Sequence, residues 1–365
     1  MSSVKFLEPS GSNLSSEQIP RTNLTNITVS RNVDSPWIFS NYPEALYIGN
    51  DKSPLADGCT QEKNGYYINQ QQVSGETEIF YSHTNCSGKV LKFRIHIYNC
   101  TDKPVTVNRT NMGHYCGWSY PENAVKEYFK GNSATFTLPS GGSAWLTPEY
   151  TISVGNPFTG MVRLVASNDI IVTEYLYIDP NKINGYEVAY PEDLSSYVIT
   201  GIGHGNFITF NHALRSADET KVSTLKSRPY VYATNSHNKG EVNPNELVPI
   251  KLLGTDIIAD GKNQDYHYND LGNYCAHNYH IIKFTNDTLK PATIYGYIGS
   301  NGIGNTQVIN RGGVIKSAKL DLDTGVFQWR WCQVDLAAGE SVQFDFQQLV
   351  ASYGAAASIM KWALA

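Results

Sequence analysis

Two distant segments of the sequence match each other without a gap. IHIYNCTDKPVTV, residues 95–107, aligns with IKFTNDTLKPATIY, residues 282–295, so that Asn99 corresponds to Asn286. Each segment is a run of β-prone residues, then a polar turn, then a second run opened by Lys-Pro. Proline suits this place because the first residue of a strand needs no ladder hydrogen bond. The match predicts that Asn99 and Asn286 occupy equivalent hairpin turns.

A second matching pair follows each of these segments. LPSGGSAWLTP, residues 138–148, corresponds to LAAGESVQFDF, residues 336–346. Two copies of one supersecondary unit indicate two related domains. Runs such as VLKFRIHIY and IIVTEYLYI are typical of strands, and long helical periodicity is nearly absent.

The sequence therefore predicts an all-β chain with two antiparallel β-sandwich domains of the immunoglobulin-like type. A barrel remains an alternative, because periodicity does not separate the two architectures. We expect the domains at residues 36–197 and 198–365. Residues 1–35 are rich in Ser and Asn and have no apolar period of their own, so they predict an extended N-terminal arm.

Composition argues against several classes of partner. The 365 residues carry a formal net charge of −5, with 28 Lys and Arg and no basic run, which gives no electrostatic footprint for nucleic acid or an anionic membrane. The sequence has no apolar run long enough for a transmembrane helix. Its first residues, MSSVKFLEPSGSNLSS, lack the apolar region of a signal peptide, so we expect no export by the general secretion pathway.

Six cysteines permit disulfides without requiring them. If the strand before Asn99 forms a hairpin with the strand after Pro104, then Cys86 and Cys116 become cross-strand neighbours within disulfide reach. We expect these two to be adjacent, and bridged if the protein matures outside the cytosol. Seven Asn-x-Ser/Thr triplets are interpreted as Asn- and Thr-rich turns.

The run from GETEIFYSHTN through KFRIHIYNCTDKPVTV and SYPENAVKEYF to GMVRLVASNDIIVTEY resembles uncharacterised cell-surface proteins of spore-forming Gram-positive bacteria. The resemblance continues at GNYCAHNYHIIKF and LAAGESVQF and covers roughly residues 75–350. Those proteins often follow a copper-amine-oxidase-like stalk domain, which has no oxidase activity and no counterpart in this sequence. The resemblance implies a location at a spore or cell surface and brings no catalytic residues.

A histidine-rich tract raises the possibility of a metal site. YHYNDLGNYCAHNYH, residues 266–280, contains His267, Cys275 and His277, all competent ligands for zinc. His277 and His280 are three residues apart, however, and in a strand they point to opposite faces. The remaining candidates lack a fourth ligand and supporting contacts. We therefore interpret the tract as strand and loop and predict no metal.

Catalytic signatures are missing from the sequence. It contains no Gly-x-Ser-x-Gly elbow, no phosphate-binding loop of the Gly-x-x-x-x-Gly-Lys-Ser/Thr type and no His-Glu-x-x-His helix. The prediction is a non-enzymatic protein without a cofactor.

Aromatic residues are abundant, with 24 Tyr, 13 Phe and 6 Trp, and they are concentrated in GHYCGWSYP and FQWRWC. Trp118, Tyr120, Trp329 and Trp331 are candidates for a subunit interface or for stacking against sugar rings, although such residues also fill β-sandwich cores. Trp329 and Trp331 alternate onto one face of a strand, which would be an interface if it were exposed.

These features favour a structural protein that self-associates into a surface layer, a filament or a crystalline inclusion, at a spore or cell surface or in the cytoplasm. NLTNITVSRNV, residues 23–33, is β-prone and nearly uncharged, so we expect the arm to add a strand to a neighbouring subunit. A glycan-binding module is the alternative. A β-rich toxin is the second alternative, for which the sequence has no long amphipathic hairpin.

Overall fold

The structure is a computed structural model, and it describes the greater part of the chain. The described residues are 2–20, 29–32, 34–41, 45–46, 65–178, 187–188, 200–204, 207–212, 220–234, 250–253, 269–270, 275–302, 304–321, 323–351 and 356–365. Strands dominate these residues, which confirms the all-β prediction. The α-helices among them are α1 (Glu122–Lys130) and α2 (Val222–Ser227), and a 3-10 turn spans Gly11–Asn13. In the part of the chain that the structure describes, neither α-helix is long and apolar enough to cross a membrane.

The strands are numbered in chain order. They are β1 (Ser3–Phe6), β2 (Leu14–Ser15), β3 (Val29–Asn32), β4 (Pro36–Ser40), β5 (Ala45–Leu46), β6 (Gly65–Asn85), β7 (Leu91–Tyr98), β8 (Val105–Cys116), β9 (Ala134–Leu138), β10 (Ser143–Trp145), β11 (Tyr150–Ile152), β12 (Pro157–Tyr177), β13 (Glu187–Val188), β14 (Thr200–His204), β15 (Phe207–Asn211), β16 (Tyr230–Ala233), β17 (Ile250–Leu253), β18 (Asn269–Asp270), β19 (His277–Thr285), β20 (Ala292–Gly302), β21 (Gly304–Arg311), β22 (Val314–Asp321), β23 (Gln328–Leu336), β24 (Ser341–Val350) and β25 (Ala356–Leu364).

Contacts between residues divide the chain into two compact units. The first unit contains Val33–Gly205 and Lys251–Asn269, and the second contains Met1–Asn32, Asn206–Ile250 and Asp270–Ala365. This division differs from the continuous boundaries expected from the sequence. The N-terminal segment groups with the second unit because β1 and β2 pair with β23. Strand β17 groups with the first unit's sheet because it pairs with β14.

In the first unit, two strands of 21 residues, β6 and β12, pair antiparallel along most of their length. A register shift between Ala166 and Ile170 separates β12 into two halves. The first half also pairs with β8 and the second with β7. The alternate residues of these strands that point inward, among them Phe93, Ile95 and Leu164, form the core.

The second unit contains two six-stranded sheets. One has the order β1-β23-β20-β25-β16, with β2 also on β23, and the other has the order β22-β21-β24-β19-β15-β3. Side chains from the two sheets meet in the core: the rings of Trp331 on β23 and Phe346 on β24 are 4.4 Å apart, and Trp362 on β25 packs beside Trp331 at 5.5 Å.

The sheets are mixed, whereas the sequence predicted purely antiparallel pairing. Strands β4 and β5 run parallel to β6, and β15 runs parallel to β19. The cause is connectivity, because two neighbouring strands that are joined through a long stretch of chain need not be antiparallel, whereas those joined by a tight turn must be. The turn signals in the sequence predict only the second kind.

The N-terminal segment provides edge strands to both sheets of the second unit. Strand β1 pairs antiparallel with β23 from Ser3 opposite Asp335 to Phe6 opposite Cys332. Strand β3 pairs with β15 on the other sheet. Strands β1 and β3 thus make their ladder hydrogen bonds within their own chain. That residues 1–35 make more contact with a neighbouring subunit than with their own stays a prediction.

Asn99 is the centre of a buried contact that we call an asparagine clamp. Its side-chain Nδ2 donates to the carbonyls of Lys103, Leu138 and Pro139 at 2.7, 3.1 and 2.9 Å. Its Oδ1 accepts from the backbone N–H and the hydroxyl of Thr101. The clamp therefore joins the β7–β8 connection to the β9–β10 connection, and these four strands pair as β8 with β9 and β7 with β10.

Asn286 makes the equivalent contacts in the second unit, as the matching segments predicted. Its Nδ2 donates to the carbonyls of Lys290, Leu336 and Ala337, and its Oδ1 accepts from the backbone and hydroxyl of Thr288. The connected strands are equivalent as well, because β20 pairs with β23 and β19 with β24. The turn is not a hairpin, however, since β19 and β20 belong to different sheets.

A third clamp at Asn85 was not predicted. Its Nδ2 donates to the carbonyls of Lys89, Ile152 and Ser153, and its Oδ1 accepts from Ser87. All three clamps share the pattern Asn-x-Ser/Thr-x-Lys, facing Ile/Leu-x-x-Gly. The glycines of the facing turns, Gly155, Gly141 and Gly339, have φ of 73°, 67° and 71°, a conformation that requires glycine.

The predicted pairing of Cys86 and Cys116 is wrong in its premise. Strands β7 and β8 do not pair with each other; both pair with β12, on its second and first halves. The side chain of Phe158 on β12 lies opposite Cys116 on one side and opposite His83 of β6 on the other, so β12 separates the two cysteine-bearing segments. Cys86 and Cys116 do not form a disulfide with each other.

Candidate functional site

Two aromatic side chains project from the turn that follows β8. Trp118 is 62% exposed and Tyr120 is 58% exposed, which makes them unusual among the aromatic side chains that the structure describes, most of which are buried or half-buried. Gly117, with φ of 135°, lets the chain leave β8, and its N–H donates to the carbonyl of Pro157 at 2.8 Å. We call Trp118 and Tyr120 the aromatic platform.

The platform is held by the third asparagine clamp. The indole Nε1–H of Trp118 donates to the carbonyl of Gly155 at 3.1 Å. Gly155 in turn donates its N–H to the carbonyl of Asn85 at 2.8 Å, and the N–H of Asn85 donates to the carbonyl of Asn156. The ring of Trp118 is therefore tied to a turn whose own position is fixed by a buried side chain.

Helix α1 fixes the other side of the platform. Pro121 precedes the helix, and the N–H of Asn123 donates to the carbonyl of Tyr120 at 3.0 Å. Glu122 and Lys126 form an ion pair of 3.7 Å on the first turns of the helix. The carbonyl of Gly155 therefore accepts a hydrogen bond from Trp118, and the carbonyl of Tyr120 accepts one from Asn123. The charged residue Glu122 lies two positions after Tyr120 in the sequence.

Trp329 and Trp331, the other predicted aromatic candidates, are fully buried. The ring of Phe6 packs edge-on against Trp331 at 5.8 Å and lies 6.4 Å from Trp329. Their strand face is covered from within the chain, so the prediction of an exposed interface or glycan face does not hold for these two residues. Large rings on the inward face of a strand serve here as core.

The interior of the first unit contains a row of polar side chains that sequence reasoning missed. Ser40 Oγ and His83 Nε2 share a hydrogen bond of 3.1 Å, and Tyr81 Oη and His114 Nδ1 share one of 3.0 Å. Glu174 is 1% exposed, on the same face of β12 as core residues of that strand. We call these five side chains the interior polar row.

Burial controls the protonation of this row. Desolvation raises the pKa of Glu174 to about 8, and the hydroxyl of Ser40 offsets part of that rise. Neither carboxyl oxygen of Glu174 makes a hydrogen bond of ordinary geometry to any residue that the structure describes. Desolvation also lowers the pKa of His114, whose ring stacks on Tyr150 at 3.7 Å, to about 3. At neutral pH the row therefore holds a protonated carboxyl group and a neutral imidazole.

The second unit has its own buried polar network. His280 lies between Tyr232, whose Oη is 3.2 Å from Nδ1, and Gln348, whose Oε1 is 3.2 Å from Nε2. Gln348 Nε2 donates onward to Thr234 and to Gln307. Desolvation lowers the pKa of His280 to about 3, so its imidazole is neutral at neutral pH. Both ring nitrogens of His280 and the side-chain amide of Gln348 make hydrogen bonds within the network, as in a buried polar network that stabilises one core arrangement.

Of the candidate metal ligands, the structure describes Cys275 and His277. Cys275 is buried at the start of the β19 region, and His277 on β19 stacks on Phe207 at 5.0 Å. His267 lies outside the described residues. Within the described ranges there is no group of three or more His, Cys, Asp or Glu side chains that could hold a metal ion.

Comparison with known proteins gives little further information. No family model and no curated protein matches the chain. Among solved structures, the PBSX exported protein XepA is 8% identical, with 82% of this chain and 86% of that chain covered and a TM-score of 0.18. Tripeptidyl peptidase 2 is 8% identical, with 87% and 24% covered and a TM-score of 0.18. The mannose 6-phosphate isomerase of Bacillus subtilis is 10% identical, with 81% and 75% covered and a TM-score of 0.14. Scores this low support no argument about fold or function.

Proposed function

We propose that the protein is a non-enzymatic structural protein that self-associates by adding its N-terminal segment to β23 of a second copy. The observation that supports this proposal is the position of the N-terminal segment, whose strands β1 and β2 pair with β23. Strands β1 and β2 lie at the outer edge of a sheet, next to β23, so β23 can pair in the same way with the identical segment of another chain.

Most polar contacts of the segment lie near the surface. Lys5 Nζ is 2.9 Å from Asp335 Oδ2, and this contact is the main reason that the pKa of Asp335 lies well below its usual range. Asn13 accepts hydrogen bonds from Arg330 at 2.8 and 3.2 Å. Exposed ion pairs contribute about 0–1 kcal/mol each, so these contacts specify the register more than they prevent release.

The apolar contacts stabilise the docked segment. Phe6 covers Trp329 and Trp331, the face that the sequence marked as an interface candidate. Ile19 is buried against Val231 and Ile359. An identical segment from a second copy carries the same side chains and can make the same contacts. Intramolecular closure has the advantage of a high effective concentration, so exchange is favoured when protein concentration is high.

A single substitution tests this proposal directly. Phe6 lies opposite the native Cys332 in the ladder, and cross-strand neighbours lie within disulfide reach. The variant Phe6→Cys, refolded at high concentration and then oxidised, should form disulfide-linked dimers and longer species on a non-reducing gel. The matched control is Lys5→Cys, because Lys5 lies opposite Gln333 and has no cysteine partner in the ladder.

The result that contradicts the proposal is equally direct. If Phe6→Cys forms its disulfide only within one chain at every concentration, the segment does not exchange. Sedimentation of the wild-type protein adds a second measurement, since exchange requires particles larger than one chain. Closed reciprocal exchange would give dimers, whereas head-to-tail addition would give a filament or layer.

A further inference from the structure

Lys316 on β22 contacts the N-terminal segment from the second sheet of the unit, opposite the sheet on which the segment docks. Its Nζ forms an ion pair of 2.7 Å with Glu8 Oε1 and donates to the carbonyl of Phe6 at 2.9 Å. The same Nζ lies 4.6 Å from the centre of the Phe6 ring. We infer that Lys316 is the residue that selects the N-terminal segment as the strand that β23 accepts. This inference rests on the proposed strand exchange and names the contact that makes it specific.

The backbone of the segment presents two carbonyls to this second sheet. The N–H of Leu7 donates to the carbonyl of Trp331 at 2.8 Å, so the odd-numbered residues of the segment bond to β23. The carbonyls of Val4 and Phe6 therefore point away from β23. Arg311 Nη1 donates to the carbonyl of Val4 at 3.3 Å, as the ammonium group described above does to that of Phe6. Two cations of the second sheet thus bind the outward carbonyls of the segment.

The contacts of Lys316 define the register of the segment. They require an aromatic ring at one position of the docked strand and a carboxylate two positions later. A slip of two residues would place Val4 beside the ammonium group and Phe6 where the carboxylate belongs, and a slip of one would turn the ring to the other face. Among the 13 phenylalanines of the chain, Phe6 is the one that has an acidic residue two positions later. The contact therefore distinguishes the N-terminal segment from every other Phe-containing stretch of the sequence.

Burial of Lys316 adds a cost for the wrong strand. The side chain of Lys316 is 10% exposed, whereas that of Glu8 is 73% exposed. A strand that covered the ammonium group without a ring or a carboxylate would remove its hydration and offer only a backbone carbonyl in return. Burying a charge without its partner is costly, so such a strand is rejected. The identical segment of a second copy carries both groups and avoids this cost.

Reversing the two charges in separate copies tests this assignment. Tagged Lys316→Glu is refolded at high concentration together with untagged Glu8→Lys, and the untagged protein retained with the tag is measured. Exchange between these two copies places the introduced lysine beside the introduced glutamate and leaves the native pair in the reciprocal contact. Tagged Lys316→Glu should therefore retain roughly fivefold more Glu8→Lys than untagged Lys316→Glu, because two ion pairs replace two like-charge contacts.

The matched control is Lys319→Glu, which reverses a charge on the same strand. Lys319 pairs with Asp321 at 2.7 Å and, three positions from Lys316, points to the other face of β22. Tagged Lys319→Glu should retain its own untagged copy as well as tagged wild type retains untagged wild type. If wild-type copies retain each other but Lys316→Glu shows no preference for Glu8→Lys, the assignment is overturned and the proposed exchange stands. If wild-type copies do not retain each other, the proposed function fails and this inference fails with it.

Hydrogen exchange within one chain gives a second measurement that requires no reversed charge, with circular dichroism to establish that each variant is folded. Lys316→Gln keeps a polar side chain but removes the charge that holds the segment. It should speed the exchange of the Leu7 amide, which bonds to Trp331, roughly tenfold, because the segment loses a charge-assisted contact. Lys319→Gln should leave this rate unchanged. Equal rates for the Leu7 amide in the wild type and in Lys316→Gln would overturn the assignment.

Discussion

Replacing Glu174 with glutamine should remove a pH dependence from the stability of the first unit. The carboxyl group is buried with a pKa raised to about 8, from a usual value of 4.5. In the folded unit it therefore keeps its proton up to about pH 8, whereas in the unfolded chain it has lost that proton above about pH 4.5. Between these values the folded state holds one more proton, so stability falls as pH rises.

The magnitude follows from the proton count. One proton corresponds to about 1.4 kcal/mol for each pH unit. Below pH 6.5 the effect is offset by His114, whose pKa is lowered to about 3, so that the unfolded state takes up a proton there. Above that value Glu174 acts without this opposing contribution. From pH 6.5 to 8 the free energy of unfolding of the first unit should therefore fall by about 2 kcal/mol in the wild type.

Urea titrations read by hydrogen exchange of peptides from β12 report on this unit alone. Glu174→Gln should show no fall over the same pH range, because glutamine keeps the shape and cannot ionise. Glu149→Gln is the control, since hydrogen bonding from Tyr177 lowers the pKa of Glu149 and its titration lies far below this window. Parallel curves for the wild type and Glu174→Gln between pH 6.5 and 8 would refute the reasoning.

Three further outcomes are expected. Asn99→Ala should reduce the free energy of unfolding of the first unit, measured in urea, by roughly 3 kcal/mol, because the carbonyls of Lys103, Leu138 and Pro139 lose their hydrogen-bond donor. A loss below about 1 kcal/mol would mean that the clamp is dispensable. Expression in a glycosylating host should leave Asn85, Asn99 and Asn286 unmodified in the folded protein by mass spectrometry, since all three are fully buried, and a glycan on any of them would contradict the clamp. In the wild type the second unit should lose about 1.4 kcal/mol of stability per pH unit as the pH falls below 6.5, because the folded state keeps the His280 imidazole neutral while the unfolded chain protonates it. His280→Gln should remove this loss in urea titrations, and an unchanged loss below pH 6.5 would exclude His280 as its source.

The equivalence of Asn99 and Asn286 could be predicted because it depends on a local pattern that survives in both copies. The connection type could not, because a hairpin and a turn between two sheets begin with the same polar residues. What decides between them is the strand with which each neighbour pairs. For β7 and β8 that partner is β12, and the paired residues of β8 and β12 are 42 to 59 positions apart in the sequence, from Cys116 opposite Phe158 to Val107 opposite Ala166. The hairpin from which the Cys86–Cys116 adjacency was predicted is absent for this reason.

The third clamp and the interior polar row escaped sequence reasoning for different reasons. At Asn85 the hydroxyl comes from Ser87 and no proline follows Lys89, so the segment does not align visibly with the other two. Glu174 left a clearer signal. In IIVTEYLYI it falls on the alternating face that carries Ile170 and Val172, where an acid is out of place. An ionisable residue on an inward face is a signal that a periodicity analysis can find.

Each unit contains a buried imidazole whose pKa is lowered, and the first unit also contains a buried carboxyl group whose pKa is raised, so the stabilities of the two units depend differently on pH. From pH 5 to 6.5 the effects of Glu174 and His114 cancel in the first unit, while the second unit gains about 2 kcal/mol as the unfolded form of His280 loses its proton. From pH 6.5 to 8 the second unit gains nothing from His280, while the first loses about 2 kcal/mol through Glu174. Through Glu174, His114 and His280 the stability of the second unit relative to the first should therefore rise between pH 5 and 8, and His96 of the first unit, whose pKa burial also lowers, makes this rise smaller than about 4 kcal/mol. Since β23, the acceptor of the N-terminal segment, belongs to the second unit, refolding at alkaline pH preserves that acceptor while the first unit is weakest, so strand exchange should persist at a pH at which the first unit has lost stability.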